Sequence, residues 1–249
     1  MEKRMNTIGI DDNLNRTRIR KLLAIGLFAS VLTGVGDFLL GYAVETVGNS
    51  FATNVMSGAP NLTDGQMIVG SMLGFFGIFL EGLACFGIYR LMADAAPRYA
   101  HIYRAGIFGY IWLAPIGCHL NMGILNLTYK YLLYGDAGIA ELVAERLFWW
   151  FSLPVYVLLA LFWTPMIVIQ FMAFAKGLTP YPKKAKWFNV ILGSIPPLVI
   201  GGIIGSQNPL GPAIGTMFLS FGNAFMFCGL LATMPDQAVF DRFQTNLRR

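Results

Sequence analysis

The stretch LLAIGLFASVLTGVGDFLLGYAV, residues 22–44, decides the fold, because its only charged side chain is Asp37. At about 1.5 Å of rise per residue, a helix of this length crosses a hydrocarbon core of roughly 30 Å. Five more apolar runs follow at 66–93, 102–133, 146–175, 187–206 and 213–234. Before them lies a polar, basic segment, 1–21, and after them a tail, 235–249. The first run is too long for a signal-peptide core and has no small-x-small cleavage pattern, so it reads as a retained helix.

Charge sets the direction of the spans. Lys3, Arg4, Arg16, Arg18, Arg20 and Lys21 precede the first run, Arg90, Arg98 and Arg104 separate the second from the third, and Lys176, Lys183, Lys184 and Lys186 separate the fourth from the fifth. Arg242, Arg248 and Arg249 end the chain, which leaves only Lys130 and Arg146 for the opposite side. Basic connections face the cytoplasm. The expected architecture is therefore an all-α bundle of six transmembrane helices, with both termini cytoplasmic and no soluble domain. The net charge of +5 then reports topology and attraction to anionic headgroups, and no nucleic-acid partner is implied.

Composition agrees. Charged residues make up 12% of the 249, about half the share in an average soluble domain, which excludes an ordinary water-soluble core. The three cysteines, Cys85, Cys118 and Cys228, fall inside apolar runs at different depths and predict helix-contact fillers, with no disulfide framework.

Among the connections, 45–65 is the longest and carries no Lys or Arg, with turn formers at Gly48-Asn49, Gly58 to Asn61 and Asp64-Gly65. It reads either as a lid or as a passive tether. The tail places Val239, Phe240, Phe243 and Leu247 at helical spacing against Arg242, Gln244 and Arg248, which predicts an amphipathic helix on the inner membrane surface.

Small residues recur in stripes. Gly26, Ser30, Thr33, Gly34, Asp37 and Gly41 share one face of the first helix, and Gly70, Gly74, Gly77, Glu81 and Cys85 one face of the second. Gly215, Gly222 and Gly229 repeat the device in the last. Lipid provides no hydrophobic drive for helix association, so close packing over small residues has to supply it. Pro115, Pro154, Pro165, Pro196 and Pro197 lie within spans, and the Pro196-Pro197 pair predicts a bent or broken fifth helix.

Three ionisable residues sit at membrane depth: Asp37, Glu81 and His119. A central Asp costs about 2.5–3.5 kcal/mol on insertion scales, so each such group needs a partner or water and marks a candidate site. Asp37 and His119 each lie 15 residues from the basic end of their runs, about 22 Å by helix rise, and share a level in the outer half. Glu81 comes out nearer the cytoplasmic third and reads as a possible separate polar site, snorkelling or pairing with Arg90 or Lys176.

Around the Asp37–His119 level, Thr33 and Gly41 on the first helix, and Gly123 and Asn126 on the third, are candidate substrate-binding positions. The fourth offers Glu145, Trp149, Ser152 and Tyr156, and the sixth Thr216, Ser220 and Asn223. These predict an outward-opening polar cavity. An Asp–His pair there can hold one proton and act as general acid and base on a lipid or small amphiphile, by hydrolysis, isomerisation or cyclisation. The same pair suits a proton-coupled permease, and it also suits a purely structural hydrogen bond in a non-catalytic partner protein. With only His101 and His119 and no Cys-x-x-Cys, no metal site is predicted. No dinucleotide fingerprint, P-loop or Gly-x-Ser-x-Gly elbow occurs, so no cofactor is predicted. Membrane lipids and an amphiphilic ligand are the expected partners.

Gly36-Asp37-Phe38-Leu39-Leu40, Gly117-Cys118-His119-Leu120-Asn121-Met122-Gly123 and Asn208-Pro209-Leu210-Gly211-Pro212-Ala213-Ile214-Gly215 resemble a bacterial and archaeal family of polytopic membrane proteins known only as a domain of unknown function. Tyr181-Pro182-Lys183 to Trp187-Phe188-Asn189 is similar to its approach to the penultimate helix. The resemblance implies a shared six-helix fold, a bacterial cytoplasmic membrane and attention to Asp37 and His119, and it implies no reaction. A looser likeness to lysoplasmalogenase-type hydrolases, through a Gly-Asp and an intramembrane His, transfers no substrate.

Overall fold

The computed structural model describes residues 14–46 and 50–248, with Arg248 by its backbone alone. Lys3, Arg4, Gly48, Asn49 and Arg249 lie outside the described residues. Helix α1, Arg16–Gly41, starts inside the basic N-terminal segment because the Asn15 side chain accepts the Arg18 N–H at 3.0 Å and caps it there. After a turn come α2, Phe51–Val55, and a 3₁₀ turn, Ala59–Asn61. Then α3, Asp64–Ala84, runs into α4, Phe86–Ala93. Thr63 and Gln66 form a capping box at its start.

The next two runs form a hairpin. Helix α5, Pro97–Ala114, passes through a π turn at Pro115–Leu120 into α6, Asn121–Leu133, and α7, Ala137–Leu147, passes through a second at Phe148–Ser152 into α8, Leu153–Ala175. Each π turn is closed by a bond spanning five residues, from the Asn121 N–H to the Ile116 carbonyl and from the Leu153 N–H to the Phe148 carbonyl. Helix α9, Val190–Ile204, follows, then α10, Leu210–Thr216, α11, Phe218–Ala232, and α12, Gln237–Arg248.

Among the described residues, four continuous helical stretches are long and apolar enough to cross a membrane: Arg16–Gly41, Asp64–Ala93, Pro97–Leu133 and Ala137–Ala175. A fifth arises if α10 and α11, bent by 51°, count as one span, and α9 is shorter at 15 residues. The chain is all-helical among its described residues and has the build of an integral membrane protein. Helix α9 runs unbroken through Pro196 and Pro197 and ends instead at Gly205, whose φ of 81° and ψ of 167° are open essentially to glycine alone.

Helices α1 and α3 make the closest crossing. A Cβ on Gly36 would stand 2.6 Å from the Gly70 carbonyl oxygen and 2.8 Å from the Gly74 nitrogen, so the two backbones touch directly. At the basic end a large apolar core gathers Ile19, Leu23, Ile88, Tyr103, Phe174 and Phe227. Phe240 of α12 is fully buried in it, so the tail is anchored to the bundle while Val239 and Leu247 stay exposed. All three cysteines are free.

At the opposite end the part of the 45–65 connection from 50 to 63 is folded down as a cap. Ala52, Met56 and Ala59 bury themselves against Tyr129, Ala140, Ala144 and Phe148. The Lys130 ammonium fastens it, donating to the Leu62 carbonyl at 2.7 Å and to Asp64 at 2.9 Å, while the Tyr131 hydroxyl donates to the same carboxylate. Lys130→Met is expected to lower the melting temperature in detergent, with faster amide exchange confined to 50–63.

Candidate functional site

Between the basic core and the cap lies a cavity of about 500 Å³. Helix α1 contributes Thr33 and Asp37, α3 Glu81, α5 Tyr110, the first π turn Cys118 and His119, and α6 Asn126. Tyr156 and Trp163 come from α8, Thr216 from α10, Ser220 and Asn223 from α11, and Val55 from the cap. Leu40, Ile78, Ala114, Leu159 and Leu219 supply apolar wall.

His119 reaches Asp37 across α3. Its Nε2 stands 3.2 Å from Asp37 Oδ1, with the two side chains only 6% and 14% exposed. The imidazole lies flat over Gly74, where any Cβ would overlap the ring. Glycine at 74 therefore does two jobs: it lets α1 approach α3, and it leaves a slot through which the histidine passes. The Thr216 hydroxyl donates to the Asp37 backbone carbonyl at 3.0 Å and ties α10 to the same turn of α1. His119 Nδ1 is buried without a hydrogen-bond partner. Since a carboxylate accepts only, Nε2 is the ring nitrogen that donates to Oδ1, and Nδ1 is left uncommitted.

Glu81 lines the same cavity and does not form a separate site. Thr33, one turn inward of Asp37 on α1, bridges the two levels, because the cavity follows that helix face for more than a turn. Glu81 is 1% exposed and its Oε2 accepts from the Tyr110 hydroxyl at 2.7 Å and the Asn223 amide at 2.8 Å. Asn223 also donates to the Tyr110 oxygen at 3.3 Å, which closes a triangle. These neutral donors stand where a basic partner was expected, and Lys176 instead donates to the Tyr99 hydroxyl at 2.7 Å. Tyr110→Phe removes one of the two donors and is expected to destabilise the fold by about 1–3 kcal/mol, seen in thermal unfolding.

Thr33, Asn126, Tyr156 and Asn223 also line the cavity, but five other predicted positions do not. Gly41 is a packing position whose Cβ would overlap Thr216 and Ala213, and a Cβ on Gly123 would overlap Ser71 of α3. Ser152 is fully buried and accepts from the Asn121 amide at 2.7 Å. Glu145 and Trp149 line a different hollow of about 360 Å³ with Leu142, Arg146 and Trp150. The cause is the π turn at Phe148–Ser152, whose extra residue rotates what precedes it by about 100° relative to α8. No stripe of three- and four-residue steps can carry across it.

A model of a family of unknown function, DUF6796, matches residues 5–237. The chain belongs to that family. The stretch shared with DUF6796 includes every cavity residue from Thr33 to Asn223. No curated protein and no solved structure matches the chain.

The sequence reading of this family member missed Tyr110, Trp163 and Val55. Tyr110 had a usable signal: it lies six residues beyond Arg104, while Glu81 lies nine before Arg90, so both start from the same membrane boundary and fall about one turn apart in depth. A phenol near the level of a membrane carboxylate is a candidate hydrogen-bond donor. Val55 gave no signal, because its place depends on how the cap folds.

Proposed function

We propose that this protein is a six-span protein of a bacterial cytoplasmic membrane, with both termini inside, that acts on a lipid or small amphiphile through acid–base chemistry by Asp37 and His119. The observation that carries the reading is the 3.2 Å contact between these two groups on the wall of a cavity of about 500 Å³, large enough for an alkyl chain and a small head. The basic connections lie at the end away from the cap, so Asp37 and His119 fall in the outer half of the membrane and the cavity reaches inward from them to Glu81.

The chemistry follows from the pair. His119 accepts a proton from a substrate hydroxyl or a water, Asp37 holds the imidazolium in place, and the proton is returned to the leaving atom. A positioned acid–base group of this kind contributes about 10²–10⁴-fold. Hydrolysis, isomerisation and cyclisation all fit that sequence of transfers.

A second reading is a proton-coupled permease, and the observation favouring it is that one cavity carries ionisable groups at two depths, Asp37 with His119 and Glu81. Purified protein incubated with a lipid extract and analysed by mass spectrometry separates the two. Turnover lost in both Asp37→Asn and His119→Ala, at retained fold, supports the enzyme. Loss of pH-driven uptake into liposomes with no chemical change supports transport, and unchanged turnover and uptake with a lower melting temperature leaves the pair structural.

A further inference from the structure

The cavity wall holds two carboxylates, one imidazole and, among the described residues, no lysine or arginine. Asp37 is matched by His119, but Glu81 has no cation among its hydrogen-bond partners. Its Oε2 is held by Tyr110 and Asn223, while its Oε1 is buried and unpartnered in a residue that lines the cavity. One oxygen is thus clamped by neutral donors, and the other has no cationic partner in a residue on the cavity wall. The rings of Tyr110, Tyr156 and Trp163 line the same cavity, and aromatic faces attract cations. A buried phosphate or carboxylate headgroup would find no lysine or arginine on this wall, with His119 already matched to Asp37, and would face Glu81.

The cavity also has a side exit for a chain. Ala160 of α8 and Thr216 of α10 line it yet are exposed, and α8 does not pack extensively against α10 or α11. An alkyl tail passing between them lies among apolar side chains on its way to the lipid.

We infer that the ligand of this cavity is an amphiphile with a cationic head, an ammonium or amine, drawn to the Glu81 carboxylate with its apolar chain leaving between α8 and α10, and that anionic headgroups are rejected. This rests on the reading that an amphiphile occupies the cavity, and it supplies that reading with a substrate class.

The test is equilibrium binding to the purified full-length protein in a nonionic detergent at fixed ionic strength, with octyltrimethylammonium, octanol and octanoate as probes sharing one chain length. The cation is expected to bind at least about tenfold more tightly than octanoate, a difference of about 1.4 kcal/mol. Glu81→Gln keeps the shape and the acceptor oxygen, and it is expected to remove that preference while octanol binding stays within about twofold. Equal or tighter binding of octanoate to the native protein overturns the inference without recourse to any variant, as does a Glu81→Gln protein with full cation affinity. Displacement of the cation by sodium, but not by octanol, overturns it in favour of an inorganic ion site. A lost charge preference with turnover still dependent on Asp37 and His119 sinks this inference alone. A retained preference with turnover indifferent to both sinks only the catalytic reading.

Discussion

His119→Ala is expected to lower substrate turnover by about 10²–10⁴-fold, the range a positioned acid–base group supplies. Asp37→Asn should fall in the same range, because an amide in place of the carboxylate at 3.2 Å no longer stabilises an imidazolium. The two act as one unit, so the double variant should be no slower than the slower single variant. Additive losses would mean that the groups work independently and would remove the case for a pair. Stability gives the complementary readout. Deleting the imidazole leaves Asp37 largely buried and unmatched, so His119→Ala alone should lower the melting temperature more than the double variant, in which the stranded charge is gone too. A purely structural pair predicts the same stability pattern with turnover unchanged.

Gly74→Ala is expected to remove most of the activity without touching any reacting atom. The new methyl would overlap the His119 ring, and neighbouring backbone gives it no room to move, since Gly36 already contacts the Gly74 nitrogen. Either the imidazole leaves Asp37 or α1 and α3 separate. The first outcome costs activity to the level of His119→Ala, and the second adds about 1–3 kcal/mol of overpacking. Gly202→Ala in α9 is the control, because its Cβ would meet nothing within 4 Å. It should be neutral or stabilising by up to about 1 kcal/mol from helix propensity. If Gly74→Ala retains full turnover with its fold intact, His119 does not act from the position described.

The spans were legible where apolar runs are long and bounded by basic residues, as in α1 and in α3 with α4. The role of Gly70 and Gly74 as a contact face was legible for a related reason, since small-residue stripes have only one common use in lipid, but their partner Gly36 lies beside the first-helix stripe and was not assigned to it. The shared level of Asp37 and His119 came from counting helix rise, which tolerates one surplus residue. Facial direction does not tolerate it. Glu145 and Trp149 were assigned to the face of Tyr156 by steps that ignore the π turn at Phe148–Ser152, and Gly123 was assigned to the cavity although it packs on Ser71. Glu81 was set apart because depth alone says nothing of how tall a cavity is. The break expected at Pro196-Pro197 falls instead at Gly205, because both prolines are carried within α9, and the apolar sixth run gave no sign of the 51° bend between α10 and α11.

The surplus residue between Pro115 and Leu120 makes the aim of His119 depend on chain length as well as on chemistry. Pro115 has no N–H to close an ordinary helical bond, so the looser winding begins at a fixed point. Deleting a single residue from 116–118 would remove the surplus and leave α6 on the same face of α5, because regular winding over one residue fewer turns the chain through the same angle, whereas inserting one more would turn α6 and His119 by about 100°. The histidine would then be intact, buried and facing the wrong neighbour. A single insertion in this short stretch is thus as damaging as loss of the imidazole itself.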